Sequence, residues 1–343
     1  MLSNNRNLLF KGIILALCII SCVHLFIFPL FETNTDSNII RTYLDFEQSL
    51  CLNNIRKKRS FNRAKCPQYG IITVMQGGRL GNQIWEYASV WAYARETGLE
   101  PYIPRCIKLK LETIFDKLSL PTFETISHCL VQTDLFYLPS AKAFPNNTLD
   151  AWHFTNQSII LPKYITSPEL ISTWVQDITQ EFSIKKSLLD KSHRILQAAV
   201  KCVNIPVKTF IGVHVRRTDY ISYIKRKYNA EPVDSKFFLK AMDMFEKKYP
   251  DSIFIIVSDD PKWCWKEFKF KKNAYVVGKY HGGSSTPALD LTILASCNHT
   301  IFDYGTYGMW GALLAGGETV YYDLNPEYSS HKLGRYMKNW HSL

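Results

Sequence analysis

The most constraining feature of the sequence is a regular alternation of apolar runs and amphipathic segments beyond residue 207. Runs that are apolar throughout are typical of strands buried on both faces, as in parallel sheets. The segments between them carry apolar residues at helical spacing, which predicts helices packed on that sheet. The predicted strands lie at 208–215, 252–260, 274–278, 299–303 and 318–324, and the predicted helices at 235–249, 286–297 and 306–317. This pattern predicts an α/β domain.

A further strand, turn and helix precede this domain. Residues 70–75 (GIITVM) are a short β-rich run, and 76–83 (QGGRLGNQ) form a glycine-rich turn. Apolar residues then recur at helical spacing until Gly98, which supplies a stop. The chain of 343 residues is long enough for two domains that each bury a core, and we divide it into an N-terminal one at 67–206 and a C-terminal one at 207–343.

The N-terminus reads as a membrane anchor. Residues 12–31 carry no formal charge, and at about 1.5 Å per residue they are long enough to cross the hydrocarbon core. The basic residues of 1–11 precede this stretch, so the positive-inside rule places that tail in the cytosol and the rest in the lumen. A cleaved signal peptide is the alternative. The polar residues 32–66 are then expected to form a lumenal stem.

Glycosylation sequons and cysteines agree with a secretory compartment. The sequons lie at Asn146, Asn156 and Asn298. Two of the nine cysteines fall in the apolar stretch, which leaves an odd number, seven, beyond it. At least one is therefore free or paired between chains, and the sequence does not fix the connectivity. No CxxC pair occurs, so we expect no zinc site.

The net charge of +11 raises the question of nucleic-acid binding. Much of the excess lies in one stretch, 53–65, outside any aromatic-rich basic module, so we expect a solvated stem and no nucleic-acid partner. Within it, residues 56–59 (RKKR) match a dibasic convertase pattern. A soluble form released by cleavage near Arg59 is the resulting hypothesis.

Three polar clusters lie at the carboxyl ends of predicted strands: HVRRTDY (214–220), SDDP (258–261) and DYGTYG (303–308). Ligands of parallel sheets bind outside the carboxyl ends of strands, so these clusters predict a site. Arg216 and Arg217 suit an oxyanion such as phosphate, because guanidinium keeps its charge when buried and offers paired donors. The alternative is an internal ion pair with Asp219.

The remaining motifs are weaker individually. The turn GGRLGN (77–82) and the pair Gly305-Thr306 each open a predicted helix, where free N–H groups favour anions. A tight turn or a simple helix cap explains each equally well. Asp259 and Asp260 could bind a metal, but as adjacent acids before Pro261 they favour a turn or a helix start, or a hydrogen-bonding role toward a base or ribose.

In combination and chain order, GGRLGNQ, HVRRTDY, SDDPKWC and GTYGMWGALLAGG resemble the α-1,2-fucosyltransferases (galactoside 2-α-L-fucosyltransferases) over roughly residues 70–325. The resemblance implies a GT-B-like fold of two Rossmann-like lobes with a donor cleft between them. It also implies inverting transfer of L-fucose from GDP-fucose to the 2-hydroxyl of a terminal galactose, without a metal or another cofactor. A type II Golgi membrane protein fits this family.

The resemblance also implies roles for single residues. Arg216 would hold the donor β-phosphate, with Arg217 supporting it. On charge grounds we add Asp219 as the group that orients the two arginines, and we expect all three to be catalytic residues. The other donor-binding positions are expected to be His214 and one of Asp259 and Asp260 at the guanosine, and Gly305, Thr306 and Asn82 at the diphosphate. No general base is identified, although Asp219 is a candidate.

Two other functions stay open. One is a fucosyltransferase with another acceptor, such as a core glycan or a protein hydroxyl. The other is an inactive Golgi protein that binds a GDP-sugar. A homodimer is also left open.

Overall fold

The computed structural model describes residues 42–131, 135–137, 157–278 and 286–343. Within those ranges, no helix is both long and apolar enough to span a membrane. The expected tail, the anchor, the first part of the stem and the sequons at Asn146 and Asn156 lie outside the described residues.

The N-terminal lobe is built on a four-stranded parallel sheet. Its strands are β1 (Ile71–Val74), β2 (Glu100–Pro101), β3 (Leu135–Tyr137) and β4 (Ser158–Leu161), in the order β2-β1-β4-β3. Its helices are α1 (Tyr43–Ser49), α2 (Leu80–Thr97), α3 (Arg105–Leu111), α4 (Pro168–Thr173) and α5 (Val175–Glu181). Residues 76–79 of the predicted glycine-rich turn join β1 to α2, whereas residues 80–83 of that prediction already form the first turn of α2. Helix α2 ends at Gly98 in the left-handed conformation, as expected of a helix stop.

The C-terminal lobe is built on a six-stranded parallel sheet. Its strands are β5 (Thr209–Val215), β6 (Ser252–Ser258), β7 (Ala274–Val276), β8 (His299–Phe302), β9 (Thr319–Tyr321) and β10 (Trp340–Ser342). Their order, β10-β9-β8-β5-β6-β7, is that of a doubly wound sheet, and the order reverses between β5 and β8. Ligands bind at this switch point in such sheets, so the residues after β5 and β8 become the first place to look for a site.

Seven helices accompany this sheet in the described ranges. They are α6 (Lys186–Val203), α7 (Thr218–Tyr228), α8 (Ser235–Lys248), α9 (Pro261–Phe268), α10 (Pro287–Ala295), α11 (Thr306–Ala315) and α12 (Ser329–Gly334). The boundary expected after residue 206 is wrong, because α6 already packs on the second sheet. Its buried Leu196 and Ala199 belong to one apolar cluster with Ile253 and Ile255 of β6.

The two lobes share an aromatic seam between α2 and α11. Trp310 of α11 lies 5.2 Å from Trp85 of α2 and 5.0 Å from Phe182, measured between ring centroids. All three side chains are buried. Truncating a buried Trp or Phe costs about 3–5 kcal/mol, so this seam fixes the relative position of the two helices.

The expected stem at 32–66 is wrong for its second half. Helix α1 is buried, and its Tyr43 ring stacks on Phe123 at 5.8 Å. Two disulfides tie the segment to the N-terminal lobe: Cys51–Cys106 and Cys66–Cys129. The folded domain therefore includes the residues from 42 onward, and the basic stretch is an exposed surface loop closed at both ends by disulfides.

This connectivity changes what cleavage near Arg59 would do. Residues 54–60 have no regular secondary structure, and the side chains of residues 56–59 are exposed, as a protease site requires. A cut after Arg59 leaves Cys51 bonded to Cys106 across the cut. We therefore expect cleavage to give a nicked molecule, and not a released soluble form, whose two fragments separate only after reduction.

Electrophoresis of convertase-treated protein with and without reductant checks this expectation. The matched control is the double variant Cys51→Ser, Cys106→Ser, whose fragments should separate without reductant. Soluble protein that begins at residue 60 and appears without reduction would contradict the expected result.

Candidate active site

The turn after β5 is held from both sides by acidic residues that follow the neighbouring strands. Asp259, after β6, accepts hydrogen bonds from the Arg217 backbone N–H at 2.8 Å and from the Thr218 hydroxyl. Asp303, after β8, accepts one from the Arg216 backbone N–H at 2.7 Å. Arg216 is thereby fixed at the switch point of the sheet, where the alternation of strands predicted a ligand site.

Asp303 is the buried partner of this turn. It is 1% exposed and also accepts a hydrogen bond from the Tyr304 N–H at 2.7 Å. Burial raises the pKa of Asp303 well above its ordinary value, while the backbone N–H groups of Arg216 and Tyr304 lower it. Sequence reasoning noted Asp303 but gave it no role.

His214 is buried beside Asp303. Its Nδ1 lies 3.7 Å from Asp303 Oδ1, beyond hydrogen-bond distance. Burial, and secondarily the charge of Arg216, lowers the pKa of His214 to about 3. The ring is therefore neutral at physiological pH, and it lies 5.2 Å from the Tyr307 ring between centroids.

The Arg216 guanidinium lies between two carboxylates. It donates one hydrogen bond to Asp259 and another to Asp219, each through a different terminal nitrogen. Asp219 also lies 3.4 Å from a terminal nitrogen of Arg79, which belongs to the glycine-rich turn of the other lobe. Arg79 was missed in the sequence, although it stands inside GGRLGN. Two guanidinium groups from two lobes therefore converge on one anionic position.

Arg217 points to other partners. Its guanidinium carbon lies 4.0 Å from the centroid of the Trp263 ring, and a terminal nitrogen donates to the Val233 carbonyl at 3.4 Å. Its Nε lies 3.7 Å from Asp260. These contacts anchor the turn and give Arg217 a positioning role, while its expected catalytic role stays a prediction.

Asp260 caps helix α9 by accepting a hydrogen bond from the Trp263 N–H at 3.1 Å. This is the helix-start role that its place before Pro261 predicted. Both acids of SDDP thus support the arginine turn. Their expected contact with the guanosine stays a prediction.

The glycine-rich turn meets α11 directly across the cleft. The Thr306 hydroxyl donates to the Asn82 side-chain oxygen at 2.8 Å. A Cβ placed on Gly81 would lie 2.6 Å from the Tyr307 backbone nitrogen. The N-termini of α2 and α11 therefore converge, and their dipoles favour a negative charge in the cleft. The contact of Asn82 and Thr306 with the diphosphate, which the family resemblance implied, stays a prediction.

Gly305 shapes this turn. Its φ of 90° is a backbone conformation that residues with a side chain rarely adopt. Its backbone N–H donates to the Tyr328 hydroxyl at 3.0 Å, and that hydroxyl lies 2.6 Å from the Tyr220 hydroxyl. The Gly305 N–H already has this partner, so Gly305 shapes the turn, and its expected place in the donor site stays a prediction.

A buried glutamate, Glu86, fixes the other side of the glycine-rich turn. It is fully buried, and its Oε1 accepts hydrogen bonds from the Tyr164 N–H at 3.1 Å and from the Gly77 N–H. Burial raises the pKa of Glu86 to about 8, and the two N–H donors lower it in part. Sequence reasoning missed Glu86, because an acid in the middle of a helix normally signals an exposed face.

The third sequon lies away from these residues. Asn298 is exposed at the amino end of β8, and its side-chain oxygen accepts a hydrogen bond from the Phe210 N–H at 2.8 Å. A glycan there would lie at the edge of the sheet opposite to Arg216. Glycosylation of Asn298 stays a prediction.

Comparison with known proteins places this arrangement in a family. The family model described as glycosyl transferase family 11 matches residues 44–343. Galactoside 2-alpha-L-fucosyltransferase Sec1 of Mus musculus is 31% identical over 263 residues, which cover 74% of this chain and 67% of the relative. Galactoside alpha-(1,2)-fucosyltransferase 2 of Pongo pygmaeus is 31% identical over 258 residues, which cover 74% and 71%.

Two solved structures share the fold. A mutant of Arabidopsis thaliana FUT1 in complex with GDP has a TM-score of 0.50 and 11% identity, covering 77% of this chain and 72% of that one. POFUT1 in complex with GDP has a TM-score of 0.50 and 11% identity, covering 75% and 99%. The expectation of a GT-B-like α/β fold with two lobes of parallel sheet is confirmed.

Proposed function

Because this chain belongs to glycosyl transferase family 11, we propose that it is a galactoside 2-α-L-fucosyltransferase. It transfers L-fucose from GDP-β-L-fucose to the 2-hydroxyl of a terminal galactose, with inversion at the anomeric carbon. The relatives named above are galactoside α-(1,2)-fucosyltransferases. The observation that carries the proposal is the fixed position of Arg216 at the switch point, opposite Arg79 and the N-terminus of α2.

The arginines would stabilise the negative charge that develops as the bond between fucose and GDP breaks. As the bond between fucose and GDP breaks, the sugar gains oxocarbenium character and negative charge grows on the β-phosphate. Groups that bind this charge more tightly in the transition state accelerate departure. Arg216 and Arg79 supply positive charge from both lobes, so the proposed mechanism uses no metal.

Asp219 takes a specific place in this proposal. It occupies the position between Arg216 and Arg79 in the free protein. The diphosphate of the donor carries more charge and more acceptor oxygens than a single carboxylate, and its β-phosphate gains charge as fucose leaves, so it can replace Asp219 at both guanidinium groups. Asp219 then keeps the arginines oriented until the donor arrives.

The other donor contacts follow from the same geometry. Asn82 and Thr306 bridge the lobes at the N-termini of α2 and α11, where both can turn toward the diphosphate. We place His214, which is neutral and close to Tyr307, in the wall of the cleft that would contact the guanosine. Asp259 bonds the Arg216 guanidinium and so supports the phosphate side of the site.

The acceptor hydroxyl needs a group that receives its proton. His214 is a poor base because its pKa is lowered to about 3. Asp219, with a side chain 52% exposed at the cleft, is the carboxylate that we propose for this step once the donor phosphate has taken its arginine partners.

Incubation with GDP-fucose and a panel of defined acceptors tests the function. We expect fucose on galactose-terminated glycans, with a Fucα1-2Gal linkage assigned by NMR. Transfer only to a core glycan or to a protein hydroxyl would establish the first alternative. Calorimetric binding of GDP without transfer to any acceptor would establish an inactive GDP-sugar-binding protein.

We also propose that the chain is a single-pass type II protein of the Golgi membrane. The uncharged stretch at 12–31 would be the anchor. Two disulfides in the folded domain support an oxidising, lumenal environment. The membrane assignment is checked by carbonate extraction of the full chain and by protease protection of its C-terminus in intact vesicles.

A further inference from the structure

Tyr164 combines two properties that are unusual for a large aromatic residue. It follows β4, and its backbone has a φ of 63°, in the left-handed region that disfavours side chains. Its side chain is nevertheless 53% exposed, so the core does not explain the conformation. Strained backbone of this kind persists where surrounding contacts impose it, and it concentrates at functional sites.

The contacts that impose the conformation come from the glycine-rich turn. The Tyr164 N–H donates to the buried carboxylate of Glu86, which also accepts from Gly77. A Cβ on Gly78 would lie 2.9 Å from the Tyr164 ring atom Cε1. The ring therefore lies against Gly78, and Glu86 holds both segments in one arrangement.

Tyr164 lies on the N-terminal lobe and faces the cleft, across from the C-terminal lobe that would bind the donor. Strands β1 and β4 are parallel neighbours, so Tyr164 and the glycine-rich turn follow carboxyl ends at the same edge of the sheet. Gly78 directly precedes Arg79, which reaches Asp219 of the C-terminal lobe at 3.4 Å. The exposed ring thus lies on the N-terminal lobe, beside the place where the fucose would leave the diphosphate.

We propose that the Tyr164 ring is the platform on which the acceptor sugar packs. Galactose has one apolar face made of C–H groups, and an exposed aromatic ring is the surface that such a face packs against. The inference rests on the proposed function, because it names the acceptor subsite of the same cleft. It predicts that the ring is needed for the acceptor and not for GDP-fucose.

Two substitutions separate the ring from the backbone conformation. Tyr164→Gly removes the ring and adopts the left-handed backbone without strain, so the loop geometry is retained. Tyr164→Phe keeps the ring. We expect the acceptor KM to rise at least about tenfold in Tyr164→Gly, with the KM for GDP-fucose and the Kd for GDP within about twofold of the unsubstituted protein. Tyr164→Phe should leave all three constants within about twofold.

An acceptor KM in Tyr164→Gly within twofold of the unsubstituted value overturns the platform, as does an equal loss in GDP affinity. If the unsubstituted protein transfers fucose to no galactoside, the proposed function fails and the platform is tested separately. Saturation-transfer NMR of methyl β-galactoside with GDP-loaded protein is then the readout. A signal present with Tyr164→Phe and lost with Tyr164→Gly supports the platform, and a signal absent from all three proteins or equal in them overturns it.

Discussion

Replacing Arg216 with lysine is expected to lower kcat/KM for GDP-fucose by about 10²- to 10³-fold, the usual effect of removing one preorganised donor from a developing anion. In the free protein the Arg216 guanidinium donates to Asp259 and to Asp219 through two different nitrogens. A lysine ammonium is a single point charge and cannot hold two partners in this fixed planar arrangement. The charge is kept, but its position relative to the β-phosphate is lost.

The fold should survive this substitution. The Arg216 backbone N–H, which bonds Asp303, is unchanged, and the side chain lies at the edge of the cleft, outside the apolar core. Arg226→Lys is the matched control, because Arg226 lies on the exposed last turn of α7. We expect its rate to match that of the unsubstituted protein. Steady-state kinetics and thermal unfolding of both variants decide the outcome, and near-normal activity of Arg216→Lys would refute the β-phosphate assignment.

Most strands of the C-terminal sheet could be predicted from the sequence because they are continuous apolar runs. Five predicted strands of that lobe are observed, and HVRRTDY lies at the carboxyl end of β5, as the pattern predicted. The prediction missed β10, which has only three residues and is exposed at two of them, and therefore has no apolar run. It also missed α7, whose one buried residue, Ile224, gives little apolar signal.

Partners from distant parts of the chain could not be predicted. Glu86 bonds the N–H of Tyr164, 78 residues away, and no local pattern encodes that pair. The same applies to Arg79 and Asp219, which meet only once the two lobes are assembled. The prediction for residues 42–66 was wrong for another reason. The basic composition of this segment is typical of a solvated stem, whereas its attachment depends on helix α1 and on disulfides whose pairing the sequence does not fix.

Replacing Gly81, which lies where the two lobes meet, with alanine should lower activity as much as Arg216→Lys does. Gly81 lies in α2 with ordinary helical backbone, so alanine would favour the isolated helix by about 1 kcal/mol. In the folded protein its Cβ would lie 2.6 Å from the Tyr307 nitrogen and 2.8 Å from the Thr306 hydroxyl oxygen. Backbone atoms cannot turn aside as a flexible side chain can. Gly81→Ala must therefore separate the N-termini of α2 and α11.

We expect Gly81→Ala to lower kcat/KM by about 100-fold or more, because catalytic groups from two lobes lose their fixed geometry. GDP affinity should fall with it, since Asn82 and Thr306 are parted.

Gly98→Ala provides the control at the other end of the same helix. Gly98 also has a φ of 70°, so alanine there costs about 1–2 kcal/mol of stability, but no atom lies within 4 Å of the new Cβ. The control should lose thermal stability and keep its activity, while Gly81→Ala loses activity out of proportion to stability. If the two variants lose activity only in step with their stability, the contact between the helix N-termini has no catalytic role.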